Sequence, residues 1–108
     1  MLFVNIYRYK DSMATVPVDK RTELLKAAVA FPEKYMKAGK LKAAYGFADR
    51  RGGLHIWEFD SGAEMARIIG ESPIAEFVDR EMIALVEPEA GTKLMEEAIK
   101  TAQKAAKK

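Results

Sequence analysis

The chain has 108 residues, 49% of them hydrophobic, with no cysteine, one histidine and a formal net charge of +2. The lack of cysteine excludes disulfides, thiolate chemistry and Cys-type metal sites together, and one histidine argues against a metal held by protein ligands alone. The size suits a single domain that buries roughly 65% of its unfolded surface, which is viable alone and helped by a second copy.

Charge is uneven. Residues 92–108 carry five Lys against two Glu, a net of +3, which leaves the rest of the chain at −1. The basic balance belongs to the tail, so it gives little ground for a nucleic-acid partner. No apolar run approaches the length of a membrane span. The opening Met1-Leu2-Phe3-Val4-Asn5 lacks the basic start of a signal peptide. The expectation is a cytoplasmic protein with neither a membrane nor a nucleic-acid partner.

In chain order, Leu2 to Tyr9 is rich in β-branched and aromatic residues and predicts a first strand. Val4, Ile6 and Arg8 share one face; Phe3, Asn5, Tyr7 and Tyr9 share the other. Lys10 to Pro17 reads as a loop. From about Asp19 to Ala38, apolar residues recur in steps of three and four (Leu24, Leu25, Ala28, Val29, Phe31, Tyr35, Met36), which predicts an amphipathic helix. Pro32 lies inside it and is expected to kink it or restart it. Gly39 stands where a glycine ends a helix.

Leu41 to Phe47 alternates as a second strand, with Leu41, Ala43, Tyr45 and Phe47 on one face. Asp49-Arg50-Arg51-Gly52-Gly53 predicts a turn, because adjacent glycines permit positive φ. Leu54 to Phe59 follows as a third strand, completing a hairpin. Ser61-Gly62-Ala63-Glu64 fits a capping box that opens a second helix bearing Met65, Ile68 and Ile69 and stopped by Gly70. Ser72-Pro73 predicts a short helix start, with Phe77 and Val78 as its packing residues. Glu81 to Glu87 predicts a fourth strand ended by Pro88. Thr92 to Lys108 carries an alanine-rich apolar stripe (Leu94, Met95, Ala98, Ile99, Ala102) with acids early and lysines late, which predicts a terminal helix.

The order β-α-β-β-α-β, plus that helix, predicts an α+β, ferredoxin-like domain over residues 1–88 and a separate amphipathic helix over 89–108. Two helices cover one face of a four-stranded sheet. The other face is also apolar and needs a cover, for which a second copy is the simplest candidate.

Met1-Leu2-Phe3, Gly39, Trp57-Glu58-Phe59-Asp60-Ser61, and the run from Ser72 through Pro73, Phe77 and Asp79 to Glu81 carry a family resemblance. In these stretches, over roughly residues 1–88, the chain resembles the dimeric α+β-barrel superfamily and, within it, the muconolactone isomerase-like proteins. The resemblance implies a homodimer or higher homo-oligomer, a cleft between sheet and helices, and proton transfer on a small unsaturated lactone without metal or organic cofactor. This chain departs from the family in the middle of helix 1, where Ala27-Ala28-Val29-Ala30 holds no ionisable group, and at Ala43 and Ala44 early in the second strand. Whether it is an enzyme is therefore left open.

His55 is the one side chain that ordinarily titrates near neutrality, and is the candidate general acid/base. Trp57 shares its face and is either the wall of a site or plain core. Asn5 is polar in an otherwise apolar strand and, if buried, needs partners; a carbonyl-orienting role fits it. Tyr7 and Tyr45 are further candidate donors to a carbonyl or phenolate. Two classes of function remain. One is a cofactor-free cleft enzyme acting on a small cyclic or aromatic metabolite. The other is a non-catalytic binding or structural oligomer. A cofactor-free monooxygenase reading rests on fold analogy alone.

Overall fold

The computed structural model describes residues 1–107. Its elements are β1 (Leu2–Tyr9), α1 (Val18–Lys37), β2 (Leu41–Gly46), β3 (Gly52–Glu58), α2 (Gly62–Gly70), β4 (Val78–Ala84) and α3 (Pro88–Ala106). Short 3-10 turns occupy Asp11–Thr15 and Ala75–Phe77. The sheet is antiparallel throughout, in the order β2-β3-β1-β4. This is the ferredoxin-like arrangement of the dimeric α+β-barrel fold, extended by a terminal helix. Among the described residues, no helix is long and apolar enough to cross a membrane.

The core forms where the helices meet one face of the sheet. Leu24, Ala28, Phe31 and Tyr35 recur in steps of four, three and four, so they line one side of α1. They pack over two clusters. One joins Tyr35 to Leu41, Trp57, Phe59 and Ile68; the other joins Leu24 and Ala28 to Met13, Ile74 and Val78. Trp57, Phe59 and Ile68 are each 1% exposed. Burying a side chain of the size of Phe59 or Ile68 stabilises the fold by about 1.5–3 kcal/mol. Trp57 stacks on Phe59 at 5.4 Å and meets Tyr35 edge-on at 5.6 Å.

Local expectations meet the structure at several points. The helix at α1 runs unbroken from Val18 through Pro32 to Lys37, so Pro32 does not divide it. Gly39 takes φ +77 after the helix. The positive φ of the β2–β3 turn falls on Arg50 instead of the glycines, with Asp49 Oδ1 accepting from the Arg51 N–H at 3.0 Å. Gly52 and Gly53 are already in β3. They are needed for close approach: a side chain on Gly52 would strike the Tyr7 carbonyl, and one on Gly53 the Tyr7 hydroxyl and the Tyr45 carbonyl.

Ser61 Oγ accepts from the Glu64 N–H at 3.1 Å, as the capping box requires. Glu64 reaches back to the Asp60 N–H, one residue earlier than the motif predicts, at 3.1 Å. Lys40 clamps the same turn through Asp60 at 2.8 Å and Glu64 at 3.0 Å.

Two strand readings are corrected. In β2, a bulge between Leu41 and Ala43 breaks the alternation. Leu41 pairs with Trp57 on the helix-covered face, while Tyr45 pairs with Leu54 on the opposite one. The fourth strand spans Val78–Ala84 instead of Glu81 to Glu87. Val78 is therefore an inward strand residue beside Tyr9, and Arg80 and Met82 follow it inward beside Tyr7 and Asn5.

Candidate functional site

The helix-covered face has one unusual property: polar side chains stand in its apolar middle. Strand pairing sets Asn5 beside His55 on β3 and Met82 on β4, and sets Tyr7 beside Gly53 and Arg80. Side chains of such pairs point to the same face. Asn5 is completely buried, and neither its amide nitrogen nor its amide oxygen has a partner among the described residues. The same holds for His55 Nδ1 and Trp57 Nε1. An unpaired buried polar group costs on the order of 1–3 kcal/mol, so a cluster of them needs a reason to persist.

Above this floor lies a cleft of about 440 Å³ between α1 and the sheet. Tyr7, Tyr9, His55 and Arg80 form its polar side; Ala28, Val29 and Met36 belong to its apolar side. Burial raises the phenol pKa of both tyrosines, so at neutral pH they are hydroxyl donors. The Tyr7 ring lies 5.1 Å from that of His55. Burial first, and the charge of Arg80 second, push the His55 pKa down to about 4. The imidazole is thus neutral near pH 7 and can accept a hydrogen bond or a proton.

Arg80 is half-buried, and among the described residues no carboxylate lies within ion-pair distance of it. Burial lowers its pKa from the usual arginine range, but a guanidinium stays charged. A cation shielded from water without a counter-ion suits an anionic oxygen, which its planar fork can grip at two points.

Of the side chains singled out from sequence, His55 and Tyr7 line the cleft and lie side by side. Asn5 lies beneath the floor against His55. Trp57 is core, meeting the His55 ring edge-on at 5.8 Å. Tyr45 reaches only the edge of the cleft, and its register directs its side chain to the far face, where it is 67% exposed.

Sequence reasoning missed Arg80 and Glu33. A fourth strand read from Glu81 leaves Arg80 outside it, although the alternation Val78, Arg80, Met82 is visible in the sequence. Glu33 lies one turn past the alanine-rich stretch and borders the cleft, so α1 does bring an ionisable group to it. Ser72 adds a hydroxyl at the same rim. Among the described residues, no group of three His, Cys, Asp or Glu is arranged to hold a metal ion.

Fold and cleft together define the class: a dimeric α+β-barrel scaffold with a pocket between sheet and helices. Solved structures that resemble it include two with small cyclic metabolites in their names. One is muconolactone isomerase, with a TM-score of 0.72 and 18% identity, covering 82% of this chain and 92% of that one. The other is the 5-chloro-2-hydroxyhydroquinone dehydrochlorinase TftG from Burkholderia phenoliruptrix AC1100, in complex with 2,5-dihydroxybenzoquinone. Its TM-score is 0.61 and its identity 17%, covering 83% of this chain and 98% of that one. At such identities the likeness speaks for the fold alone. No family model and no curated protein matches the chain.

Proposed function

We propose that this chain is a cofactor-independent cleft protein that binds a small, flat, anionic cyclic or aromatic metabolite and moves a proton on it. The observation that carries the reading is the convergence, on one face, of three groups that pay for burial without a protein partner: Asn5, His55 and Arg80. In this reading Arg80 binds the anionic oxygen and Tyr7 donates to a carbonyl or phenolate. His55 takes a proton from the adjacent carbon or hydroxyl and returns it. Asn5 packs beneath His55 with its amide unpaired and supports the floor of the cleft. The names of the two structural relatives, an isomerase of a lactone and a dehydrochlorinase seen with a quinone, supply the ligand classes to try.

The test is exchange of carbon-bound protons in D2O with a panel of small lactones and phenols, followed by NMR. Exchange should occur with the native chain and slow by ~100-fold or more in His55→Gln. Unchanged exchange in that variant overturns the assignment of His55 as base.

A second reading is favoured by the low basicity of His55, since a general base works best with a pKa near the working pH. In it the cleft binds the same ligand class without turnover, and His55 is only an acceptor. Calorimetric binding without any exchange selects this reading. In both readings the chain self-associates through the open face of the sheet, where Val4, Ile6, Leu54 and Ile56 are half-buried and Ile83 is 42% exposed.

A further inference from the structure

A second cavity, of about 510 Å³, adjoins the candidate cleft, and Tyr9 and Leu25 line both. Its charged lining is Lys10, Arg21, Arg50 and Arg51, with Asp11 as the one carboxylate. Four cations and one anion give that lining a formal charge of +3. Residues 1–91 as a whole, with thirteen Lys and Arg against fourteen Asp and Glu, carry −1. Positive charge is thus gathered at one cavity of an otherwise slightly acidic body, and such a cavity concentrates anions.

Three segments far apart in sequence bring these groups together. The N–H of Tyr9, the last residue of β1, donates to the Arg51 carbonyl at 2.9 Å and holds the β2–β3 turn against the end of that strand. The next N–H, of Lys10, donates to the Phe77 carbonyl at 2.8 Å. Arg21 stands near the start of α1. It is half-buried, and its Nη1 donates to the Ala14 carbonyl at 3.3 Å. That contact ties the guanidinium to the Asp11–Thr15 turn, and its other N–H donors have no protein partner among the described residues. Arg50 and Arg51 are exposed on their turn, where Arg50 takes φ +64, a left-handed conformation that favours glycine.

Of the six arginines in the chain, Arg8 and Arg67 meet carboxylates at 3.9 and 3.4 Å, and Arg80 belongs to the cleft. The other three all line this cavity, and among the described residues none has a carboxylate within ion-pair distance. Lys10 reaches Asp79 at 4.0 Å, and that carboxylate is 79% exposed. Three guanidiniums offer more donors than the two oxygens of one carboxylate can accept. A phosphate monoester presents three terminal oxygens and nearly two charges at neutral pH, which suits planar forks arriving from several sides. We infer that this cavity is a phosphate site, and that the ligand of the adjoining cleft carries its phosphate past Tyr9 into it. Arg21, Arg50 and Arg51 grip the terminal oxygens, Lys10 adds a compact charge, and the ring lies against Tyr7 and His55. The link to the cleft rests on the reading of the cleft as a ligand site; the phosphate site itself does not.

Inorganic phosphate is the probe, titrated into the full-length native chain at constant ionic strength and followed by amide NMR. The N–H signals of Lys10, Asp11, Arg21, Arg50 and Arg51 should move on one isotherm, with a dissociation constant of ~1 mM or below. Arg21→Gln and Arg51→Gln should each weaken it ~5-fold or more, and the double variant ~30-fold or more. Arg50→Gly relieves the left-handed turn. It should melt no lower than the native chain yet bind phosphate ~5-fold or more weakly, which keeps a folded variant in hand should the others fail to fold. Unchanged affinity in the folded variants overturns the proposal. So do shifts that chloride reproduces, and shifts confined to the lysines of α3.

Phenyl phosphate and phenol separate the phosphate site from its link to the cleft. Phenyl phosphate should bind the native chain ~10-fold or more tightly than either phenol or inorganic phosphate, and should shift the ring signals of His55. The gain should vanish in Arg21→Gln/Arg51→Gln. Phosphate binding without that gain leaves the phosphate site standing and removes the link to the cleft. A phenol or lactone that moves the His55 signals, in a chain on which phosphate moves none, does the reverse.

Discussion

The two faces of the sheet invert the usual distribution of polarity. The face beneath α1 and α2 is buried, yet it holds Asn5, His55 and Arg80 with polar groups unpaired or without a counter-ion. The face turned to water presents Val4, Ile6, Leu54, Ile56 and the 42%-exposed Ile83. Each arrangement costs stability in an isolated chain, through desolvation on one face and hydrated apolar surface on the other. In the proposed reading the two costs have two uses: the buried polar cluster serves a ligand, and the exposed apolar sheet serves a second copy.

The largest expected effect tests the buried face as core. Trp57→Ala should destabilise the chain by about 3–5 kcal/mol, measured by urea unfolding, because it empties the centre of the aromatic stack. A loss below about 1 kcal/mol would mean that Trp57 serves the cleft instead of the core.

Next is the pH dependence of His55. Its folded pKa of about 4 lies below the unfolded value near 6.5. The unfolded chain therefore binds more protons between these values, and stability falls as pH drops from 6.5 to 4. The contribution is ~2–3 kcal/mol, complete above pH 6.5 and lost by pH 4. His55→Gln should flatten that window in a series of unfolding curves. Carboxylates such as Glu71, held low by the Tyr35 hydroxyl at 2.6 Å, act further down in pH and should persist in the variant.

Arg80→Met should weaken an anionic ligand by about 10- to 100-fold in calorimetry, the value of a charged hydrogen bond, with the fold intact. A neutral analogue should lose little, and equal losses for both would show that Arg80 is structural.

Asn5→Leu sharpens the contrast from the other side. Replacing an unpaired amide by an apolar side chain of similar size should stabilise the free protein by about 1–2 kcal/mol while ligand binding falls. Destabilisation would show that Asn5 has a partner in the fold. The smallest effect belongs to the open face: Ile83→Lys should change monomer stability by less than ~0.5 kcal/mol yet reduce the mass seen by light scattering.

Much of this was readable in the chain. Helical spacing found α1, α2 and α3, and period-two patterning found β1 and β3, because these signals depend only on neighbours a few residues apart. The same local logic placed Asn5, Tyr7 and Tyr9 on one face and His55 and Trp57 together. It failed at Tyr45, because a bulge is decided by pairing with another strand and leaves no mark in the alternation. It failed at Arg80, because Phe77-Val78 suits a helix end as well as a strand start until Tyr9 pairs with Val78.

The sequence by itself determined the order of elements, the faces of β1 and β3 and the presence of a single histidine, His55. Those follow from backbone geometry and side-chain chemistry within one segment. The meeting of Asn5, His55 and Arg80 was decided only in the tertiary structure, because β1, β3 and β4 are adjacent in the sheet while their residues are far apart in the chain. Burial then converted an ordinary histidine and arginine into a neutral acceptor beside an unpaired cation, a property of surroundings that no single stretch of sequence contains.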